Sequence, residues 1–471
     1  MKLLPLVVDL DGTLVRTDLL IESLFALLRR NSLYAFALPF WLIKGKAHLK
    51  RQVSRRVVLD VTTLPFNQAF VEYLRGQQAA GRRLVLAAGT DERIALQVAD
   101  HLQLFDTTLA SDGLVNLSGE RKRERLKAEF GEKGFDYAGD AARDLAVWSI
   151  ARRAILVNPS ESLAAKAARV AEIEQIFERP KKGVALYLQA LRLHHWLKNL
   201  LVFVPLTFAY RLTDLHLFAD ASLAFLSFGL CASSVYLIND LADIPADRQH
   251  PRKRERPFAA GDLSLFWGLG LIPLLLGLSI LVGSRLPAPF MGMLVIYFLL
   301  NLGYSFTLKQ VPLLDVIVLA SLYTMRVMAG SAAVSIWPSS WLLAFSTFLF
   351  LSLALVKRYA EMVIMGTETG LAQVRGYRIA DKELLAAMGS ASGYVAVLVL
   401  AIYISSGTAE IHYARYHLVW LLCPLLLYWI SYVWLTAHRG TMHDDPLVFT
   451  MRDRVSRIVM LLAAIVLALA R

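Results

Sequence analysis

The chain has 471 residues, 56% of them hydrophobic and 19% charged, with a formal net charge of +12. That length exceeds one ordinary domain, and so apolar a composition argues against a wholly soluble protein and for a bilayer. The positive charge is read as Lys and Arg retained at a cytoplasmic membrane face, so no nucleic acid partner is expected. The two cysteines, Cys231 and Cys423, lie in apolar stretches and read as packing residues, without disulfide or metal spacing. Residues 1–185 carry frequent charges, whereas most of 198–471 is built from long apolar runs, so two parts with different solvents are expected. The apolar start Met1–Val8 stops at Asp9, too short for a signal peptide, so the first part is expected to stay in the cytoplasm.

In chain order, Leu3–Val8 reads as a buried strand followed by the Gly-bearing loop Asp9-Leu10-Asp11-Gly12-Thr13. Carboxylates two apart leave a strand on one side, which suits phosphoryl transfer if one attacks phosphorus, the other handles the leaving-group proton and Mg²⁺ neutralises the oxygens. A helical insert over about 16–75 contains the apolar stretch Leu33–Ile43, shorter than a bilayer span and interrupted by Pro39. It is expected to form core packing within the insert, with a surface resting on the membrane as the alternative. Gly81–Thr90 reads as a second strand and loop, Lys122 precedes a helical stretch, and Phe135–Asp140 ends in an acidic loop that runs to Asp144.

This ordered set resembles the haloacid dehalogenase superfamily over about residues 1–180, with the insert similar to its helical cap. The resemblance implies a Rossmann-like α/β fold with Asp9 as nucleophile, Asp11 as acid/base, Lys122 as phosphate anchor, and Asp9, Asp11, Asp140 and Asp144 around Mg²⁺. At the position after the second strand where that superfamily has a Ser or Thr for the phosphate, this chain has Ala88. Thr90, two residues on, is the substitute, or the domain has weakened phosphatase activity.

Residues 181–197 read as an amphipathic linker or interfacial helix, and from 198 to 471 apolar runs of near-spanning length recur about nine times, the first (198–213) and last (456–470) being short. The loops after the second, sixth and eighth runs carry Arg248, Arg252, Lys253, Arg254 and Arg256, then Lys357, Arg358, Arg375, Arg378 and Lys382, then Arg439, Arg452 and Arg454. Alternate loops are poor in Lys and Arg, so the basic loops are expected on the cytoplasmic side of the inner, cytoplasmic membrane, together with the N-terminal domain and the active sites.

The most ordered constellation is Asn239-Asp240-Leu241-Ala242-Asp243-Ile244-Pro245-Ala246-Asp247, followed by Lys253-Arg254-Glu255-Arg256-Pro257. In a helix Asn239, Asp243 and Asp247 share one face, although Pro245 can bend its end. Clustered acids at a membrane edge call for a cation, and hard oxygen ligands suit Mg²⁺ bridging to a diphosphate that nearby Lys and Arg also meet. The spacing matches the first aspartate-rich motif of the UbiA prenyltransferase superfamily, which implies an all-α polytopic bundle over about 185–471.

Leu191–Asn199, Asp247–Gly261 with Arg256-Pro257-Phe258, and Lys357-Arg358-Tyr359-Ala360-Glu361 look like the decaprenyl-phosphate phosphoribosyltransferase branch of that superfamily. In that branch the diphosphate belongs to phosphoribosyl pyrophosphate and the acceptor is a polyprenyl phosphate. Asp240, Asp243 and Asp247 are then the Mg²⁺ acids. Lys198, Asn239, Arg256, Tyr304, Lys309, Lys357 and Arg358 stand on the substrate side. Asp315 lacks a second acid four residues later, and Arg326 lies farther along its span: the two either serve a donor with an extra 5-phosphate or form a buried structural pair. Asp445 and Asp453 read as loop caps, and Trp196 as an interfacial anchor. The expected function is a Mg²⁺-dependent membrane transferase making polyprenyl-phosphoryl ribose with removal of its 5-phosphate. The alternatives are an aromatic or quinone-precursor prenyltransferase using a polyprenyl diphosphate, and a membrane-bound phosphatase whose membrane part only binds lipid.

Overall fold

The computed structural model describes every residue except 1, 2, 32, 179–182, 251, 252, 369–372, 375, 408, 411, 412, 443 and 444, so Arg252 and Arg375 of the basic loops lie outside the described residues. The chain forms two units, residues 1–190 with 237–271, and residues 191–236 with 272–471. The first unit thus takes in the aspartate-rich segment, which the sequence reading places in the membrane domain.

The first unit is built on a six-stranded parallel sheet: β1 (Leu6–Val8), β2 (Leu84–Asp91), β3 (Thr107–Ser111), β4 (Asp136–Gly139), β5 (Arg153–Val157) and β6 (Glu172–Phe177), in the order β3-β2-β1-β4-β5-β6. Parallel strands covered on both faces need apolar side chains on both, and Leu6, Val7 and Val8 are all fully buried, Val7 against the cluster of Tyr137 and Trp148 and its neighbours against that of Phe70 and Leu86. The strand order reverses between β1 and β4, where α/β sheets open a crevice at the carboxyl ends of their strands. This is the α/β fold expected of a haloacid dehalogenase-type domain.

The insert forms α1 (Leu19–Arg30), α2 (Tyr34–Ile43) and α3 (Lys46–Ser54). It ends earlier than expected, because α4 (Gln68–Ala79) puts Phe70, Val71 and Leu74 into the core of the sheet. Asp18 caps α1 by accepting from the Ile21 amide at 3.0 Å. The expectation that Leu33–Ile43 is core packing holds for one face only, where the half-buried Tyr34, Leu38 and Trp41 pack against Leu27, Leu49 and Val53. No residue of α2 is buried, and Phe36, Phe40 and Ile43 are 75%, 68% and 83% exposed, so an apolar surface stands out on the insert.

The second unit is helical. Among the described residues, seven helices are long and apolar enough to cross a membrane: Leu215–Ala242, Leu265–Gly283, Ala288–Phe306, Leu314–Val334, Ser340–Ile364, Ile379–Ser405 and Tyr416–His438. The expected count of about nine is not reached, for reasons of length. Residues Leu193–Phe203 coil as a 3₁₀ helix followed by only five α-helical residues, Val204–Phe208, and Arg454–Ala470 has 17 residues. At about 1.5 Å per residue the latter covers roughly 26 Å of a hydrocarbon layer about 30 Å thick. The linker contributes a short helix, Val184–Ala190, with Val184, Tyr187 and Leu188 exposed and Ala190 buried. Trp196 is half-buried against the bundle, its indole N–H donating to Ser233 Oγ at 2.9 Å and its ring against Gly229, where a Cβ would lie 2.8 Å from it.

Candidate active sites

Three polar centres stand out, two in the first unit and one in the second. The first lies at the carboxyl ends of β2, β1 and β4, three neighbouring strands that bring Thr90, Asp9 and Asp140 together from distant parts of the sequence. Asp9 Oδ1 accepts from Lys122 Nζ at 2.8 Å and from the Leu10 amide at 2.8 Å. Its Oδ2 is buried with no hydrogen-bond partner among the described residues. Asp9, Asp140 and Asp144 each offer an oxygen within 4.8 Å of the others, and burial together with Asp9 and Asp144 pushes the Asp140 carboxyl up to about 8. Three crowded acids and an orphaned carboxylate oxygen are the donor set of a hard divalent cation, so Mg²⁺ fits here.

Around this core, Tyr137 OH receives Lys122 at 3.0 Å and donates to Asp144 Oδ1 at 3.0 Å, and Thr13 donates to Asp140 at 3.1 Å. Gly12 has φ +84°, and a Cβ there would fall 2.0 Å from the Asp140 carboxylate, so the loop closes onto that acid only with glycine. Asp11 accepts from the Leu19 amide at 2.9 Å and from the Thr90 hydroxyl, and burial with Asp18 nearby raises its carboxyl to about 6. A carboxyl that holds a proton near neutrality suits acid/base work.

Ala88 is fully buried among the core residues of the sheet, while Thr90 is the residue whose hydroxyl reaches Asp11. A register shift between Ala87 and Asp91 extends β2 through Thr90, which the sequence reading assigns to the following loop. Two site residues have no sequence signal of their own. Lys50 of α3 donates to the Gly89 carbonyl at 2.6 Å and to Asn116 Oδ1 at 2.7 Å, with its ammonium form disfavoured by burial. The carboxylates of Asp9, Asp144 and Asp140 surround Arg143 electrostatically.

The second centre is the aspartate-rich segment. The expected continuous helix breaks: Leu215–Ala242 ends, Asp243 takes the position before a new helix Ile244–Gln249 without a side-chain capping bond, and Pro245 sits in that helix's first turn, where a missing N–H costs nothing. The chain still brings acids together. Arg256 Nη1 lies 2.6 Å from Asp247 Oδ2 and 3.2 Å from Asp240 Oδ1. Burial raises the Asp247 carboxyl and Arg256 opposes that rise. Asp243 faces Arg29 of α1 at 3.6 Å. Asn239 lies in the last turn of the same spanning helix, directly before Asp240. Asp240 and Asp247, hard oxygen donors bridged by one guanidinium, are the acids of this segment closest to forming a cation site.

The third centre lies in the second unit around Asp445. Lys198 Nζ is 2.7 Å and Lys357 Nζ 3.1 Å from Asp445 Oδ2, and Tyr323 OH donates to the same carboxylate at 3.0 Å. Asp445, which the sequence reading takes as a loop cap, does cap Pro446–Arg452, accepting from the Leu447 amide at 3.3 Å, but it also neutralises both lysines. Asp453 has the capping role alone with Ser456, plus Tyr432 OH at 3.1 Å. Arg326 Nε donates to Asn199 Oδ1 at 3.0 Å and its Nη2 to Tyr297 OH at 2.8 Å, while Asn199 Nδ2 and His195 Nδ1 are buried without hydrogen-bond partners among the described residues.

The expected Asp315–Arg326 pair is corrected. Eleven residues along one helix separate them by about 16 Å, and Asp315 pairs instead with Arg358, Nε 2.7 Å and Nη2 2.6 Å from Oδ2, with Tyr377 OH on the other oxygen. Arg358 also binds Glu361, so its guanidinium is committed within the protein. Tyr304 lies at the end of Ala288–Phe306, and Lys309 is buried in the turn Leu308–Gln310.

Comparison with known proteins assigns the bundle. The profile of the UbiA prenyltransferase family matches residues 200–469. The chain belongs to the UbiA prenyltransferase family. It is an enzyme and, with seven apolar helices, an integral membrane protein. The chain is 36% identical over 460 residues to an uncharacterized protein, y4nM, of Sinorhizobium fredii, covering 96% of this UbiA chain and 88% of the relative. It is also 36% identical over 192 residues to decaprenyl-phosphate phosphoribosyltransferase of Mycobacterium tuberculosis, a match that covers 40% of this chain and 63% of that enzyme. Among solved structures, substrate-bound phosphoserine phosphatase is similar to 38% of this chain over 94% of its own length, at 16% identity and a TM-score of 0.28.

Proposed function

We propose that this UbiA-family protein transfers phosphoribose from phosphoribosyl pyrophosphate to a polyprenyl phosphate, and that the N-terminal domain then removes the 5-phosphate, both on the cytoplasmic side of the inner membrane. The observation that carries this reading is the 36% identity to a decaprenyl-phosphate phosphoribosyltransferase in a chain that also holds a second carboxylate centre of phosphatase type. The domain division that goes with it is phosphatase 1–180, linker 181–197 and transferase 198–471.

In the transfer, Asp240, Asp243 and Asp247 are the residues that would hold Mg²⁺, and Arg256 the one that would receive pyrophosphate oxygens. The metal supplies charge neutralisation of the leaving pyrophosphate. The C1–O bond of the donor breaks, a lipid phosphate oxygen forms the new bond to C1, and pyrophosphate departs. Lys198 and Lys357, with Asp445 between them, serve as phosphate-binding cations, and Asn199 and Arg326 as polar partners of a hydroxylated donor. Asp315 and Arg358 fix the start of helix Leu314–Val334, with Tyr304 and Lys309 adjacent in sequence.

In the second step a carboxylate oxygen of Asp9 attacks the 5-phosphorus, the ribose 5-oxygen leaves with a proton from Asp11, and water then hydrolyses the acyl phosphate with Asp11 as base. Lys122 steadies the phosphate, Thr90 orients Asp11, and Asp9, Asp140 and Asp144, with Asp11 beside them, are the groups that would hold Mg²⁺.

The test is incubation of the purified chain with Mg²⁺, radiolabelled phosphoribosyl pyrophosphate and a polyprenyl phosphate. Label is expected in the lipid phase, and its 5-phosphate is expected to be lost with Asp9 intact and kept in Asp9→Asn. Label absent from lipid, with transfer of a labelled prenyl diphosphate to an aromatic acid instead, would replace this reading by aromatic prenylation.

A further inference from the structure

Helix α1 touches both carboxylate centres of the first unit. At its amino end the Leu19 amide donates to Asp11 of the phosphatase-type site at 2.9 Å. One turn in, Glu22 is 3% exposed and takes the guanidinium of Arg248 in a two-pronged pair, Nη1 to Oε2 at 2.8 Å and Nη2 to Oε1 at 2.6 Å. At its carboxyl end Arg29 faces Asp243 at 3.6 Å. Glu22 and Arg29 are seven residues apart, two turns, and so lie on one face of α1 about 10 Å apart.

That face meets the aspartate-rich segment antiparallel, Arg248 against the start of the helix and Asp243 against its end. Arg248 directly follows Asp247, and its Nε also donates to the Ala259 carbonyl at 2.9 Å, so the same side chain ties down the return of the loop. Farther on, Gly261 has φ +68° and a Cβ there would stand 2.7 Å from Arg16 Cβ and 2.9 Å from the Arg16 carbonyl oxygen, a fit that leaves no room for a side chain.

We infer that α1 is a positioning element for the transferase: Glu22 and Arg29 hold the segment that bears Asp243 and Asp247 in place for metal and diphosphate. The inference rests on the reading of Asp240, Asp243 and Asp247 as the metal-binding acids. It gives the phosphatase-type fold a role in the transfer step that is independent of any phosphate it hydrolyses. A two-pronged Arg–carboxylate pair fixes orientation as well as distance, and a buried pair is screened little by salt, which is what a positioning contact needs.

The experiment uses the full chain in lipid nanodiscs. Glu22→Gln is expected to raise the KM for donor at least fivefold with a smaller change in kcat, and to leave hydrolysis of p-nitrophenyl phosphate within twofold. In metal-free protein the amides of 239–261 are expected to exchange hydrogen faster. Mn²⁺ affinity, read by electron paramagnetic resonance in an Asp9→Asn, Asp140→Asn background, is expected to fall at least threefold. The double variant Glu22→Arg, Arg248→Glu restores the ion pair but not the bond to the Ala259 carbonyl, and is expected to recover part of each loss, which a general weakening of the fold would not allow. Unchanged exchange and Mn²⁺ affinity in Glu22→Gln overturn the inference. Should that variant fail to fold, Arg29→Gln, at a longer and partly exposed contact, is held to the same readouts. Absence of labelled lipid from the unaltered chain defeats the phosphoribosyl reading alone, because exchange and Mn²⁺ binding need no turnover.

Discussion

One nitrogen of Arg256 lies within 3.2 Å of both Asp240 and Asp247, seven residues apart in sequence and on two different helices. The guanidinium bridges the two acids, and its charge offsets their mutual repulsion. Arg256→Gln is therefore expected to lower kcat/KM for transfer by tenfold or more. Arg256→Lys should keep only part of the activity, since an ammonium cannot reproduce the planar fork. Lipid-phase radiolabel measures both, and a Gln variant within twofold of the parent would remove Arg256 from the site.

Asp445 is the shared counter-ion of Lys198 and Lys357. Asp445→Ala leaves two close cations without their carboxylate and a helix without its cap, and a broken buried ion pair typically costs about 3–5 kcal/mol. Thermal unfolding in detergent should show a clear drop in Tm, and transfer should fall with it. An unshifted Tm would mean that the lysines find other partners.

Gly12→Ala places a methyl group against the Asp140 carboxylate and forces a side chain into a left-handed backbone. Hydrolysis of p-nitrophenyl phosphate is expected to fall about 100-fold or more, the scale of misplacing a catalytic group by an ångström. Lipid labelling, measured in parallel, should persist, since the atoms nearest the added methyl group belong to Asp140. Full phosphatase activity in the variant would place the metal acids elsewhere.

Asp140 with its carboxyl raised to about 8 has a definite pH consequence. Below that value the folded, metal-free site keeps a proton that the unfolded chain, near 4, has lost, so ionisation of Asp140 detracts from stability as pH rises from about 4 to 8. Mg²⁺ has to displace that proton. The Mg²⁺ concentration giving half-maximal phosphatase activity should therefore rise by up to about tenfold for each pH unit below 8. A half-saturating concentration that is flat between pH 6.5 and 8.5 would disconnect Asp140 from the metal.

The parts of these sites that were legible in the sequence are the ones written in short spacings. Asp9 and Asp11 two apart after a strand and the acids of 239–247 stand out as candidates before any fold is known, whereas Lys122, singled out only through the family resemblance, lies in the first turn of the helix Glu120–Phe130 rather than ahead of it. What escaped is set by tertiary contact. Lys50 sits in an insert with no motif, and Asp445 meets Lys357 across 88 residues. Asp315 finds Arg358 across 43 residues on the next spanning helix, while Arg326 in its own helix is too far along the axis. Thr90 reaches Asp11 because β2 carries an irregularity that an apolar pattern does not encode. The apolar run of α2 looks the same in sequence whether it is covered or exposed.

The first unit is discontinuous along the chain, and this has a consequence for biosynthesis. Residues 1–190 leave the ribosome first and can close their sheet alone, but the face of α1 that carries Glu22 and Arg29 stays uncovered until residues 237–271 are made. At about 5–20 residues per second that wait lasts several seconds, and it includes insertion of the helix Leu215–Ala242. During it the Glu22 carboxylate, 3% exposed in the finished fold, lacks its partner Arg248, and the apolar surface of α2 stands open as well. The nascent chain therefore presents a sticky, half-finished surface to chaperones, and a truncation that stops near residue 190 would make that interval permanent.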